Sequence, residues 1–302
     1  AARGMTFLNA HSNDPLWAPS RSSMLFGLYP QTTDLYWFND WRKNPIHTNS
    51  VSLLRHMRDN GYGIYATGKI FHGQEHDRVY DEWGFEGSFG PWPWNGKTDW
   101  PWPPHPQQGY LFEDEDADMP YKWEHCFGSL NQIPDMPADE AAGTPGYKGW
   151  RLFKKPFHLT PGGERDLLAD ELSAQWSADV IRRKHDKPFA LFTGFVRTHT
   201  PLYLPQEYLD RFPLDSIELP EVRENDVEDC AKALTNPELY GFRRFNMLKK
   251  HEDRQLYKKW LQAYMAAVSF VDDQVGTVLD AVDAGPEKDN TIIILTSDQG
   301  FH

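Results

Sequence analysis

Four short stretches of this 302-residue chain carry side chains of types that could do chemistry. Ser20 and Arg21 follow Trp17-Ala18-Pro19 and lead into apolar residues at helical spacing from Ser22 to Leu28. That places them where amide N–H groups gather at a helix start, a natural anion seat, although Ser there is also an ordinary cap. Lys69 and His72 lie three apart, read either as a cationic pair or as a solvated Lys beside a hydrogen-bonded His. His199, between two threonines and before Pro201, suits acid–base work or the anchoring of a loop. Asp298 and Gln299 offer a carboxylate and an amide oxygen, hard donors for Ca²⁺ or Mg²⁺, while an Asp at a strand end also caps helices.

Each stretch needs an element to hold it. Met5 to Ala10 suits a strand opening into a polar loop. A short amphipathic helix runs from Asn49 and is closed by Asn60-Gly61, and Tyr62 to Thr67 then forms a strand that delivers Lys69 and His72. Leu168, Leu172, Trp176, Val180 and Ile181 trace a helix face before the strand Phe189 to Phe195 and the His199 loop. Leu256 to Val282 trace a long helix stopped by Gly285-Pro286. Thr291 to Thr296 is a continuous β-branched run of the kind buried on both faces of a parallel sheet, and it ends at Asp298. Helix, strand and polar loop recur three times, so the fold class is α/β, and Lys69, His72, His199, Asp298 and Gln299 are expected along one rim outside the strand ends. Residues 84–163, rich in Trp, Pro and Gly, read as a long irregular insertion whose aromatics either line a cleft or pin the loop.

The composition narrows the function. Lys+Arg 31 against Asp+Glu 44 gives a net charge of −13, which disfavours a general polyanion binder and excludes nucleic acid as the expected partner. No apolar run approaches the ~18–20 residues of a membrane span. Cys126 and Cys230 are too few for a disulfide framework or a thiolate zinc site, and allow one bridge at most. No leader precedes Ala1, and both ends read as cut.

Ala18-Pro19-Ser20-Arg21-Ser22-Ser23-Met24-Leu25-Phe26-Gly27 resembles the sulfatase signature, Cys/Ser-x-Pro-Ser-Arg-x-x-x-Leu-x-Gly. Gly68-Lys69-Ile70-Phe71-His72 is similar to the family's second motif in its iduronate-2-sulfatase-like form, and Lys187 to Pro201 to its strand with a His-x-Pro loop. Ala266 to Asp273 and Ile292 to Gly300 resemble its long helix and metal-binding strand end. The resemblance spans nearly the whole chain. It implies an alkaline-phosphatase-like domain, with a mostly parallel central sheet flanked by helices, covering 1–302 as a partial catalytic domain truncated at both ends. It further implies hydrolysis of sulfate esters, on a sulfated small molecule or glycan, around a divalent cation, usually Ca²⁺. By resemblance Arg21 holds the nucleophile region, Lys69 binds a sulfate oxygen, His72 assists breakdown of the covalent sulfate and His199 contacts the leaving oxygen. Asp298 and Gln299 would ligate the ion. Fixed positive charge around a tetrahedral sulfuryl group is the physical requirement such a set meets.

Three positions depart from the pattern. Trp17 stands where the family has the Cys or Ser converted to formylglycine, and indole has no nucleophilic heteroatom, so the chain as written is expected to be inactive. Gln299 replaces His or Asn. The family's paired Asp ligands would lie upstream of Ala1 and its last active-site Lys downstream of His302. The alternatives are a non-catalytic sulfatase-like protein that binds sulfated ligands through Arg21, Lys69, His72 and His199, or a phosphate or phosphonate ester hydrolase of the same superfamily. Localisation follows from the resemblance alone: periplasmic, extracellular or lysosome-like.

Overall fold

The computed structural model describes residues 4–72, 79–94, 109–110, 126–132, 149–160, 163–221 and 254–300, with isolated positions between 137 and 146 and between 223 and 236. In chain order the elements are α1 (Trp17–Phe26), α2 (Pro30–Thr33), α3 (Pro45–Thr48), α4 (Leu53–Asp59), β1 (Gly63–Gly68), β2 (Glu82–Glu86), β3 (Trp92–Pro93), β4 (Gly109–Tyr110), β5 (Cys126–Ser129), β6 (Trp150–Leu152) and β7 (Lys155–Phe157). There follow α5 (Ala169–Arg182), β8 (Phe189–Gly194), β9 (Leu202–Leu204), α6 (Gln206–Asp210) and α7 (Arg254–Ala284). They divide into two compact units: Ala1–Gly87 with Glu171–Phe195 and Val275–His302, and Ser88–Asp170 with Val196–Gln274.

The first unit is an α/β layer. Its sheet has the order β2-β1-β8, and every pairing is parallel. β1 and β8 run in unbroken register from Gly63↔Phe189 to Gly68↔Gly194. Small residues let α5 approach this sheet closely: Ser173, Ala174, Ser177 and Ala178 are all buried, and two buried hydroxyls answer strand threonines. Thr67 Oγ1 donates to Ser173 Oγ at 3.2 Å, and Ser177 and Thr193 share a hydrogen bond of 2.7 Å. On another face Leu25, Leu54, Ile64, Ala66 and Phe71 form a core, with Ser52 capping α4 by accepting from the Arg55 amide at 3.3 Å. Such a cap contributes about 1 kcal/mol.

The second unit holds two further three-stranded sheets, β3-β6-β7 and β4-β5-β9. Phe127, Trp150, Leu202 and Tyr203 build its core with Ala263, Ala266, Ala267 and Phe270 of α7. The indole of Trp150 donates to the Leu130 carbonyl at 3.2 Å, so burying that ring leaves no orphan donor. Much of the region 84–163 lies outside the described residues.

Several local expectations are corrected. Met5 to Ala10 is irregular chain with Phe7 and Leu8 exposed. α1 begins at Trp17 rather than Ser22 because Pro19 falls within the first turn, where a missing N–H breaks no helical bond. Ser20 and Arg21 are therefore on the helix body and not at its N-terminus. The run Thr291 to Thr296 has strand composition but no ladder among the described residues, and Ile292, Ile294 and Leu295 are 90%, 82% and 75% exposed. Composition supplies propensity; only neighbouring strands supply the bonds that make a central strand. Cys126 and Cys230 form no bridge, since one is buried and the other exposed.

Candidate functional site

In the first unit, α1 turns the Arg21 guanidinium toward the loop that leaves β1. Arg21 Nε donates to Asp298 Oδ2 at 2.8 Å, and Nη1 donates to the carbonyls of Lys69 and, at 2.9 Å, Ile70. Both charged side chains are largely buried, at 13% and 16% exposure, so this pair is screened less than a surface one. The Asp298 main-chain oxygen accepts hydrogen bonds from Ser12, at 2.8 Å, and from Ser20. One residue of the 298 loop is thus held by two hydroxyls through its backbone and by a guanidinium through its side chain.

Trp17, at the first position of α1, lies among Lys69, His72 and Gln299. Its ring is stacked with His72 at 6.0 Å and 22°, Phe38 is tilted against it at 5.5 Å, and Lys69 Nζ stands 5.5 Å from the indole centroid. An ammonium over an indole face is attracted by the ring quadrupole. Phe38 closes the group by packing on His72 at 5.3 Å. With its amide oriented to satisfy both neighbours, Gln299 donates to the Pro15 carbonyl and accepts from the Trp17 indole N–H. Burial holds the His72 imidazole below its ordinary range; the charges of Lys69 and Arg21 push the same way, and Asp298 opposes them. His72 is consequently neutral at pH 7, with one nitrogen to donate and one to accept.

Arg21, Lys69, His72, Asp298 and Gln299 therefore share one locality of the first unit, arranged around Trp17. His199 belongs to the second unit. There its Nδ1 bonds the Thr200 carbonyl at 2.6 Å, and its ring packs against Phe89 at 4.5 Å. The same loop carries a buried pair that no motif or spacing singles out. Asp170 accepts from the Val196 and Arg197 amides at 2.8 and 3.0 Å, and Arg197 Nη2 donates to the Phe89 and Gly90 carbonyls at 3.1 and 2.9 Å. Burial pulls the Arg197 guanidinium below its usual range while Asp170 opposes the shift; an arginine so placed stays charged. Phe38 was also missed, although the aromatic run Tyr36-Trp37-Phe38 just after the Pro-Ser-Arg stretch was a visible signal.

The family model described as Sulfatase matches residues 1–302. The chain belongs to the sulfatase family. A sulfatase of Formosa agariphila is 30% identical over the whole of this chain and 52% of its own length. Mouse iduronate 2-sulfatase is 29% identical, again over the whole chain and 49% of its own length. A solved structure described as a 2-O GAG sulfatase is 16% identical, with a TM-score of 0.49, over 95% of this chain and 48% of that one. The chain spans about half the length of the curated relatives it matches. No helix among its described residues is long and apolar enough to cross a membrane.

Sulfatases as a family imply a divalent cation, and the described residues of this chain do not present a donor set that fits one. Among the described residues no three His, Cys, Asp or Glu side chains gather within reach of a single ion. Of the two expected ligands, the Asp298 carboxylate is engaged by Arg21, and the Gln299 oxygen faces the Trp17 indole N–H. A hard cation takes ~6–8 oxygens, far more than this pair supplies.

Proposed function

We propose that this chain recognises the sulfate ester of a sulfated carbohydrate and, as written, holds it without hydrolysing it. The observation that carries the reading is the position of Trp17, lying flat against His72 with the Lys69 ammonium over its ring. Transfer of a sulfuryl group to the enzyme requires a heteroatom with a lone pair to form the new bond to sulfur. An indole N–H only donates, so no such bond forms at position 17. What remains is recognition. Lys69 supplies a point charge for a sulfate oxygen, neutral His72 a hydrogen bond, and Arg21 fixes the main chain beneath Lys69 through its carbonyl. Carbohydrate is favoured as the carrier because a relative aligned over the whole chain is an iduronate 2-sulfatase.

The test is a pair of proteins made in a host that converts cysteine to formylglycine, one unchanged and one carrying Trp17→Cys. Aryl sulfate turnover by the variant alone supports the reading, and equal turnover by both overturns the inactive state. Turnover of neither, with no binding of a sulfated monosaccharide, removes sulfate esters as the ligand. An aryl phosphate arm separates sulfate from phosphate chemistry.

A further inference from the structure

At both positions that the family pattern gives to a cation, the 298 loop is already engaged by protein groups. Each end of the Gln299 amide is in use: it donates to the Pro15 carbonyl and accepts from the Trp17 indole N–H. A backbone carbonyl only accepts and an indole N–H only donates, and a side-chain amide answers both at once. Asp298 gives its carboxylate to Arg21 Nε at 2.8 Å and its main-chain oxygen to Ser12 and Ser20. Ser12, Trp17, Ser20 and Arg21, all from one short stretch of chain, thus seat the loop.

Charge decides what such a place attracts. The ionised side chains that act on the His72 imidazole are Lys69, Arg21 and Asp298, two cations against one anion. A divalent ion sharing the Asp298 carboxylate would be brought against the Arg21 guanidinium, and one sharing the Gln299 oxygen would face the positive end of the indole N–H. Both contacts are repulsive, in a largely buried place where screening is weak. The excess of positive charge suits an anion instead.

Trp17 therefore has two separate effects. It removes the nucleophile, as many residues at that position would, and its N–H gives the Gln299 oxygen a partner, which Phe in the same place would not. We infer that the Trp17–Gln299 hydrogen bond is a lock that keeps the 298 loop out of cation ligation, so that the positive cluster of Arg21 and Lys69 takes its anion without a divalent ion. The lock stands on the contacts themselves; the identity of the anion as a sulfate ester rests on the reading proposed above.

The test starts from the unchanged protein dialysed against EDTA. Titrated with calcium or magnesium chloride in a calorimeter, it is expected to bind neither ion more tightly than about 1 mM. Its affinity for glucosamine 6-sulfate should stay within about threefold whether Ca²⁺ or EDTA is present. Trp17→Phe, which keeps a ring and removes the N–H, and Gln299→Leu should each lower the melting temperature, and the double variant should melt no lower than the lower single one, because both changes break the same bond. Nitrogen-15 spectra give a readout independent of stability: the indole N–H resonance that Trp17→Phe deletes should move upfield in Gln299→Leu. Should Gln299→Leu fail to fold, Gln299→Asn, too short to reach both partners, replaces it. Additive losses in the double variant, an unmoved resonance, or binding of either ion below that limit overturns the lock. A glucosamine 6-sulfate affinity that drops more than about threefold in EDTA overturns the cation-free cradle. No binding of glucosamine 6-sulfate in either condition, with the other readouts as expected, removes the sulfate-ester reading and leaves the lock standing.

Discussion

The guanidinium of Arg21 and the carboxylate of Asp298 meet at 2.8 Å across a sequence separation of 277 residues. The same guanidinium reaches the carbonyls of Lys69 and Ile70, so one side chain ties α1, the loop after β1 and the 298 loop together. Replacing it with an apolar residue strands a largely buried carboxylate and two carbonyls. Arg21→Met is expected to cost about 2–4 kcal/mol in urea unfolding. Arg21→Lys should recover only part of this, because an ammonium keeps the charge without the fork. Equal stability of all three proteins would deny the tie any structural role.

Lys69 is also constrained from β8. A Cβ built on Gly194 would collide with the Lys69 carbonyl, the oxygen that accepts from Arg21, and one built on Gly68, at φ +77°, would collide with the Gly194 carbonyl. Backbone cannot yield as a flexible side chain does. Gly194→Ala is expected to destabilise by at least about 2 kcal/mol and to weaken binding of a sulfated monosaccharide, read by thermal melting and calorimetry. Unchanged affinity in a folded variant would separate the strand crossing from the site.

His47 is buried, and among the described residues neither ring nitrogen has a hydrogen-bond partner; the ring stands edge-on to Phe26 at 4.9 Å and near Trp41 at 6.4 Å. Burial lowers its pKa from an ordinary value near 6.5, so the folded protein keeps it neutral. The unfolded chain binds the proton first. Stability from this group is therefore complete above about pH 6.5 and is lost as pH falls below it toward the depressed folded value. His72, shifted in the same direction, adds to the slope. Melting temperatures between pH 7.5 and 5 should fall, and His47→Phe should flatten the fall.

Much of this was legible from residue spacing. The helix from Leu53, the β1 and β8 strands, α5 and the long α7 all follow from apolar periodicity with Gly or cationic ends, signals that are local and survive in context. What failed was context-dependent. The β-branched run Thr291–Thr296 reads as a buried strand, yet burial belongs to its neighbours and not to its own composition. Apolar spacing alone puts the start of α1 at Ser22, whereas the helix begins at Trp17, since a first turn tolerates Pro19. The grouping of Arg21 with Asp298 came from a family pattern; the engagement of Gln299 by Trp17 and the role of Phe38 depend on side-chain directions that no spacing encodes.

The two thiols should behave differently. Cys126 lies in the second unit's core, where burial pushes its pKa up to about 12, against a smaller opposing hydrogen bond with Tyr203. Cys230 is exposed. Since only the thiolate reacts, iodoacetamide at pH 8 is expected to label Cys230 in the folded protein and Cys126 only after denaturation. Early labelling at Cys126, seen by peptide mass mapping, would contradict the burial.

The 298 loop is moored from the front of the chain, by Ser12, Ser20 and Arg21, while the apolar stretch leading to it stands in solvent. A protease that clipped this stretch would therefore leave the 298 loop attached to the first unit through a handful of polar contacts alone.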